Sequence, residues 1–238
     1  MTLRSEKVAL SLYNISGVLA RIILFFLGPL RVLHRERSSS EGARLFACNH
    51  ISHFDPVLLG LASRREIDFM AMEELFRNPV MAAYCRATYS FPTDRSRVDK
   101  AAVRTALNRL RAGRVVGIFP EGGIRAGEQS VLEGGPMRPG VVSLAHLAGV
   151  EVIPCVVLGA DTLYNWRRWL PFRRNRFWII FGEPLRLRTD LPPKAARSQM
   201  DQELAAAFPA LLTELMETYS LGPDVLPRNP EEHYGRKG

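Results

Sequence analysis

From about residue 43 onward, short apolar runs alternate with stretches of helical period, which narrows the fold more than any other feature of the chain. "RLFAC" (44–48), "IDFMAM" (67–72), "VVGIF" (115–119), "VEVIPCVVLG" (150–159) and "RFWIIFG" (176–182) have the length and the branched or aromatic content of buried strands. "TYSFP" (88–92) reads as extended. "PVLLGLAS" (56–63), "VMAAYCRA" (80–87) and "GVVSLAHLA" (140–148) read as helices between them. The clearest helix is "VDKAAVRTALNRLRAG", with apolar residues at 98, 102, 103, 106, 107 and 110 and Gly113 to close it. A last helix spans roughly 194–219. Strands alternating with helices predict an α/β fold, a mixed sheet covered by helices. At 238 residues, one such domain fits. The expected division is 1–37 as an N-terminal segment, 38–220 as the α/β domain and 221–238 as a polar, flexible tail.

The N-terminal segment narrows the choice of partner. "VALSLYNISGVLA" (8–20) carries no charge, Arg21 follows, and "IILFFLGPL" (22–30) continues. Neither half reaches the roughly 20 residues of a spanning helix. Joined, they would place Arg21 near mid-bilayer at a cost of about 2.5–3.5 kcal/mol. No small-x-small cleavage site marks a signal peptide. The expectation is one or two amphipathic helices dipping into one leaflet, with the arginines of "RVLHRER" (31–37) at anionic headgroups on the cytoplasmic side. The competing reading is an apolar helix packed on its own domain. The net charge of +8 and the pI of about 9.9 call for an anionic partner. No nucleic-acid motif accompanies that charge, so lipid is favoured over DNA or RNA. Cys48, Cys85 and Cys155 sit singly in apolar sequence, so no disulfide framework is expected.

Three clusters carry polar chemistry. In "NHISHFD", His50 follows a strand and Asp55-Pro56 resembles a helix N-cap with proline at the first helical position. In one continuous helix the two would lie about 140° apart; a loop over 50–54 could instead fold His50 back onto Asp55. Asp55 would then fix one ring nitrogen and leave the other as a general base. Equally, Asp55 could only cap a helix and His50 only finish a loop. A zinc site would need His50, His53 and Asp55 together, and no further Cys/His cluster supports it. In "SFPTDRSRVD" (90–99), Ser96 and Asp99 stand at capping-box spacing. Arg95 and Arg97 crowd that positive helix end, which suits a bound phosphate. In "GIFPEGGIRAG" (117–127), Glu121 sits on a glycine-rich turn where a strand runs out, where ligands bind in α/β sheets. The plain alternative there is a solvated surface turn.

In this order and spacing, "NHISHFD", "FPTDR", "FPEGG" and "VIPCV" resemble the four motif blocks of the glycerolipid acyltransferases, the PlsC-type 1-acylglycerol-3-phosphate O-acyltransferase family. The resemblance covers roughly residues 43–190. It implies a glycerophosphate acyltransferase-like fold and transfer of an acyl group from acyl-CoA or acyl carrier protein to the free hydroxyl of lysophosphatidate, giving phosphatidate. It further implies His50 as base and Asp55 as its orienting partner, with no metal, cofactor or covalent intermediate. Asn49, Arg95, Glu121, Gly122, Arg125 and Arg138 would serve the acceptor, and Val152, Ile153 and Pro154 the acyl pocket. The chain departs from the pattern in places. Gly123 and Ile124 stand where Thr and Arg are usual, so the arginine arrives one place late as Arg125. Met72 replaces a frequent lysine, and Arg138-Pro139 a frequent lysine pair. These departures bear on the acceptor more than on the reaction, and leave open another lysolipid or glycerol-3-phosphate. A basic, non-catalytic membrane-binding module is the remaining reading.

Overall fold

The computed structural model describes residues 3–39, 41–94, 99–170 and 175–228, with side chains from residue 13 on. Its centre is a seven-stranded sheet: β1 (Leu30–Leu33), β2 (Arg44–Cys48), β3 (Ile67–Met72), β4 (Phe91–Thr93), β5 (Val115–Ile118), β6 (Glu151–Leu158) and β7 (Phe177–Phe181), in the order β1-β7-β6-β2-β5-β3-β4. β2 to β6 run parallel, whereas β7 is antiparallel to β6 and carries β1 parallel to itself. The mixed sheet expected from the alternation is present.

Successive strand residues point to opposite faces, and both faces are apolar, as a sheet covered on both sides requires. Leu45, Ala47, Val152, Val156 and Ile180 pack under α4 (Lys100–Arg111), α5 (Val141–Ala148) and α6 (Pro193–Tyr219). Phe46, Cys48, Ile153, Val157 and Ile179 pack under α2 (Asp55–Ala62) and the end of α1 (Leu3–Leu27). The remaining helix, α3 (Pro79–Ala87), lies near α1. Helix α6 shows how an element of almost no net amphipathicity finds its seat. It buries Ala196, Met200, Leu204, Phe208 and Leu212, which recur every fourth residue along one stripe.

Three sequence expectations change. The long helix starts at Lys100, with Asp99 itself as N-cap accepting from the amides of Ala101 and Ala102; the Ser96 half of the capping box lies outside the described residues, as does the end of the tail. The boundary drawn at residue 37 falls inside the folded body. Leu30–Leu33 is an edge strand of the sheet, with Leu30 in register with Phe177. Finally, the arginines of "RVLHRER" are committed to the protein. Arg35 donates to the carbonyls of Ala62 and Leu61, Arg37 to that of Phe181 and to Glu183, and Arg31 lies over the Tyr219 ring. Among the described residues no helix is long and apolar enough to cross a membrane.

Candidate active site

β2 ends at Cys48, and the next two residues set the site. Asn49 is fully buried, and its side-chain amide bonds both ways to the backbone of Val157, donating at 3.0 Å and accepting at 2.7 Å. This extends the β2–β6 ladder one residue past the strand and fixes where the chain leaves the sheet. His50 then turns over a loop closed by Asp55. One carboxylate oxygen, Oδ2, accepts from the amides of Ile51 (2.7 Å) and Ser52 (2.8 Å), and lies 2.8 Å from His50 Nδ1. The helix-cap expectation for Asp55 is therefore corrected. α2 has Phe54 as its N-cap and no side-chain cap, because the Asp55 carboxylate is used on the loop before it. Burial pushes the Asp55 acid up, while the imidazole and the loop amides pull it back.

The hydrogen bond at Nδ1 leaves Nε2 as the other nitrogen, and Nε2 has no protein partner among the described residues. The ring plane is set by stacking. Phe119 lies 4.2 Å from the imidazole at 22°, and Phe69 lies 5.9 Å behind Phe119, nearly parallel. Room for Phe69 comes from Gly117, where an added Cβ would stand 2.6 Å from its ring. Sequence reasoning missed Phe119 and Phe69, because an aromatic residue on a strand reads as core and nothing local distinguishes one that flanks a base.

Glu121 follows Phe119 through a tight turn, with Pro120 at its second position and Gly122 donating back to the Phe119 carbonyl. Its carboxylate faces inward. Oε2 accepts from the His50 amide at 2.5 Å, and Oε1 from Ser130 Oγ at 2.8 Å and the Val131 amide at 2.9 Å. Burial raises this acid to about 7 against the pull of those three donors. Asn49 and Glu121, grouped with the acceptor residues by the resemblance, are both buried, with Asn49 bonded to Val157 and Glu121 to His50, Ser130 and Val131.

Gly122 has a φ of +67°, and an added Cβ would meet Arg138 Cδ and Nε at 2.4 Å, so glycine admits the arginine across the turn. The Arg138 amide donates to the Pro120 carbonyl, and the Arg125 amide to the His50 carbonyl. Both arginines are thus tied to the loops flanking the imidazole. Arg95 lies outside the described residues, just beyond β4. Val152, Ile153 and Pro154 do not line the site. They are buried in the first half of β6, paired with Leu45, Phe46 and Ala47 inside the two-sided core. Pro154 is tolerated there because its carbonyl faces β7 and accepts from Gly182, where β7 is already leaving the sheet.

Among the described residues no group of three or more His, Cys, Asp and Glu side chains is set to hold a metal ion. His53 turns outward, with its ring 6.0 Å from that of Tyr164. Cys48 is buried and its thiol is pushed well above its ordinary value by burial, which suits core rather than a nucleophile.

The arrangement can take a proton at Nε2 and return it. Comparisons with known proteins agree with that capacity. A 1-acyl-sn-glycerol-3-phosphate acyltransferase of Bacillus subtilis (strain 168) is 26% identical over 196 residues, covering 81% of this chain and 93% of that protein. The crystal structure of the 1-acyl-sn-glycerophosphate (LPA) acyltransferase PlsC from Thermotoga maritima has the same fold, with a TM-score of 0.65 at 19% identity over 93% of this chain and 85% of that one. Residues 30–158, more than half of the chain and spanning His50, Asp55, Phe119 and Glu121, match the family model described as Acyltransferase, and the chain belongs to that family.

Proposed function

We propose that the chain acylates the free hydroxyl of lysophosphatidate, forming phosphatidate for phospholipid synthesis, with acyl-CoA or acyl carrier protein as donor. The observation that carries this reading is the His50–Asp55 pair at 2.8 Å, held over the carboxyl ends of the parallel strands with Nε2 unpaired among the described residues. Nε2 takes the hydroxyl proton, and the oxygen attacks the thioester carbonyl. The new ester forms as the carbon–sulfur bond breaks, and the imidazolium returns its proton to the departing thiolate. Asp55 holds the proton on Nδ1 and stabilises the positive imidazolium. The chemistry asks for no metal, cofactor or enzyme-bound acyl group. Arg125 and Arg138, whose backbone amides are bonded to the loops flanking His50, are assigned to the acceptor phosphate together with Arg95. Work on lipid substrates suits a surface enzyme, here assigned to the cytoplasmic face of a membrane.

The test is transfer of labelled palmitate from palmitoyl-CoA to lysophosphatidate by wild type and His50→Ala in parallel. Product from wild type, lowered about 10²–10⁴-fold in the variant, is expected. Equal product from both removes His50 as the base. A headgroup series separates lysophosphatidate from other lysolipids, which matters because Gly123 and Ile124 depart from the usual block.

A further inference from the structure

We propose that the Trp166–Trp169 turn, which follows β6, is a second lipid anchor, joined to the end of α1 as one surface that docks on an anionic bilayer. The inference rests on the reading of the chain as a lipid-surface enzyme, but its test does not depend on the acyltransferase chemistry.

The 3-10 turn Trp166–Trp169 presents Trp166 at 69% exposure, and Trp169 and Leu170 stay 42% exposed. On α1, Phe25 is 82% exposed and Ile22, Ile23 and Phe26 are also open. Single exposed apolar side chains need no explanation; two tryptophans, two phenylalanines and aliphatic residues exposed on two tethered segments do. One side chain ties the two segments together. The amide of Asn175, itself buried, donates to the Leu27 carbonyl at 3.0 Å and the Arg168 carbonyl at 2.8 Å. Gly28 is held against the Asn175 backbone so closely that a Cβ would stand 2.0 Å from its carbonyl oxygen. The turn cannot move without the end of α1.

Charge selects the occupant. Among the described residues no Asp or Glu stands between Asp161 and Glu183, whereas Arg167, Arg168 and Arg176 do. None stands between Glu6 and Glu36 either, where the only charged side chains are Lys7, Arg21, Arg31 and Arg35. Indole rings beside arginines, with an aliphatic and phenylalanine face adjoining, match the headgroup and upper acyl region of an anionic leaflet. An acidic protein would match the arginines but leave Phe25 and Ile22 uncovered.

The same turn reaches the site. The Trp169 ring packs 5.1 Å from that of Phe54, and Tyr164 faces His53, so the loop between His50 and Asp55 rests on the anchor. Docking this surface sets the height of the base above the bilayer, where a lysolipid hydroxyl lies.

The experiment uses the full chain with vesicles of phosphatidylcholine alone or mixed with phosphatidylglycerol, some carrying brominated acyl chains. Trp178 is buried and Trp169 is partly covered, so quenching by brominated lipid should come chiefly from Trp166 and be largely lost in Trp166→Phe. Trp166→Ala should lower partition onto the mixed vesicles roughly tenfold. Arg167→Ala and Arg168→Ala should each cost about fivefold, on the anionic vesicles only. Leu147→Ala, an exposed leucine on α5, should change nothing. Urea midpoints of the variants confirm that each is folded. Unchanged partition, or no bromine quenching of wild type, overturns the proposal. So does a Trp166 response to acyl carrier protein without one to vesicles, which would make the face a protein-docking site. Acyl transfer to a short-chain, monomeric lysophosphatidate is followed alongside. If wild type lacks that activity yet binds vesicles through Trp166, the assigned reaction fails and the anchor stands.

Discussion

Glu121 shows how one buried acid can organise a site without touching a substrate. Its two oxygens collect His50, Ser130 and Val131 from separate loops, at the expense of an acid pushed up from 4.5 to about 7. Because the folded state binds this proton more tightly than the unfolded chain, its stabilising effect is full below about 4.5 and is lost as pH rises through about 7. Urea midpoints across that range should therefore fall less steeply in Glu121→Gln than in wild type. The amide can accept at only one end, so the variant should also lose acyl transfer through a displaced His50. Phe119→Leu removes the ring from the imidazole face; a loss of up to about tenfold in kcat is expected, since such pairs contribute about 0.5–1.5 kcal/mol. Asp55→Asn keeps the size but not the charge, and should lower kcat by about 10²–10⁴ with little change in far-ultraviolet dichroism.

At the scale of elements, the sheet was legible wherever a strand was flanked by a clear helix. β2, β3 and β6 fall within a residue of the runs that suggested them, because buried parallel strands are continuous apolar stretches bounded by turns. β1 was not legible. "LRVL" is four residues long, follows Gly-Pro and precedes arginines, so it reads as the tail of an apolar helix; only its pairing with β7 makes it a strand. The His50–Asp55 loop could be drawn from residue order, but not the partners of Asn49 and Glu121, which lie far from the loop in sequence at Val157 and Val131. Val152–Pro154 could be picked out by the motif block but not seen as buried strand residues of β6, because a block says which residues recur, not which way they face. Gly117→Ala tests the packing behind the base. Its Cβ would press on Phe69, so a destabilisation of about 1–3 kcal/mol and a fall in kcat are expected, read by urea unfolding and acyl transfer.

For the whole molecule, the N-terminal region divides near Leu27 between the exposed apolar face proposed above to meet lipid and a strand that belongs to the sheet. Removing residues 2–37 would take away β1 together with the Arg35 and Arg37 bonds to Ala62, Leu61 and Phe181. Such a chain should lose cooperative unfolding, whereas removal of residues 2–20 should leave it cooperative and weaken vesicle binding. The pairing of β1 with β7 has a temporal side as well. Leu30 leaves the ribosome long before its partner Phe177, by roughly 7–30 s at ordinary rates of synthesis. Throughout that interval the apolar helix α1 precedes a strand that has nothing to pair with. The fold can close only at its last strand, so a nearby bilayer has time to capture the nascent chain before the enzyme exists.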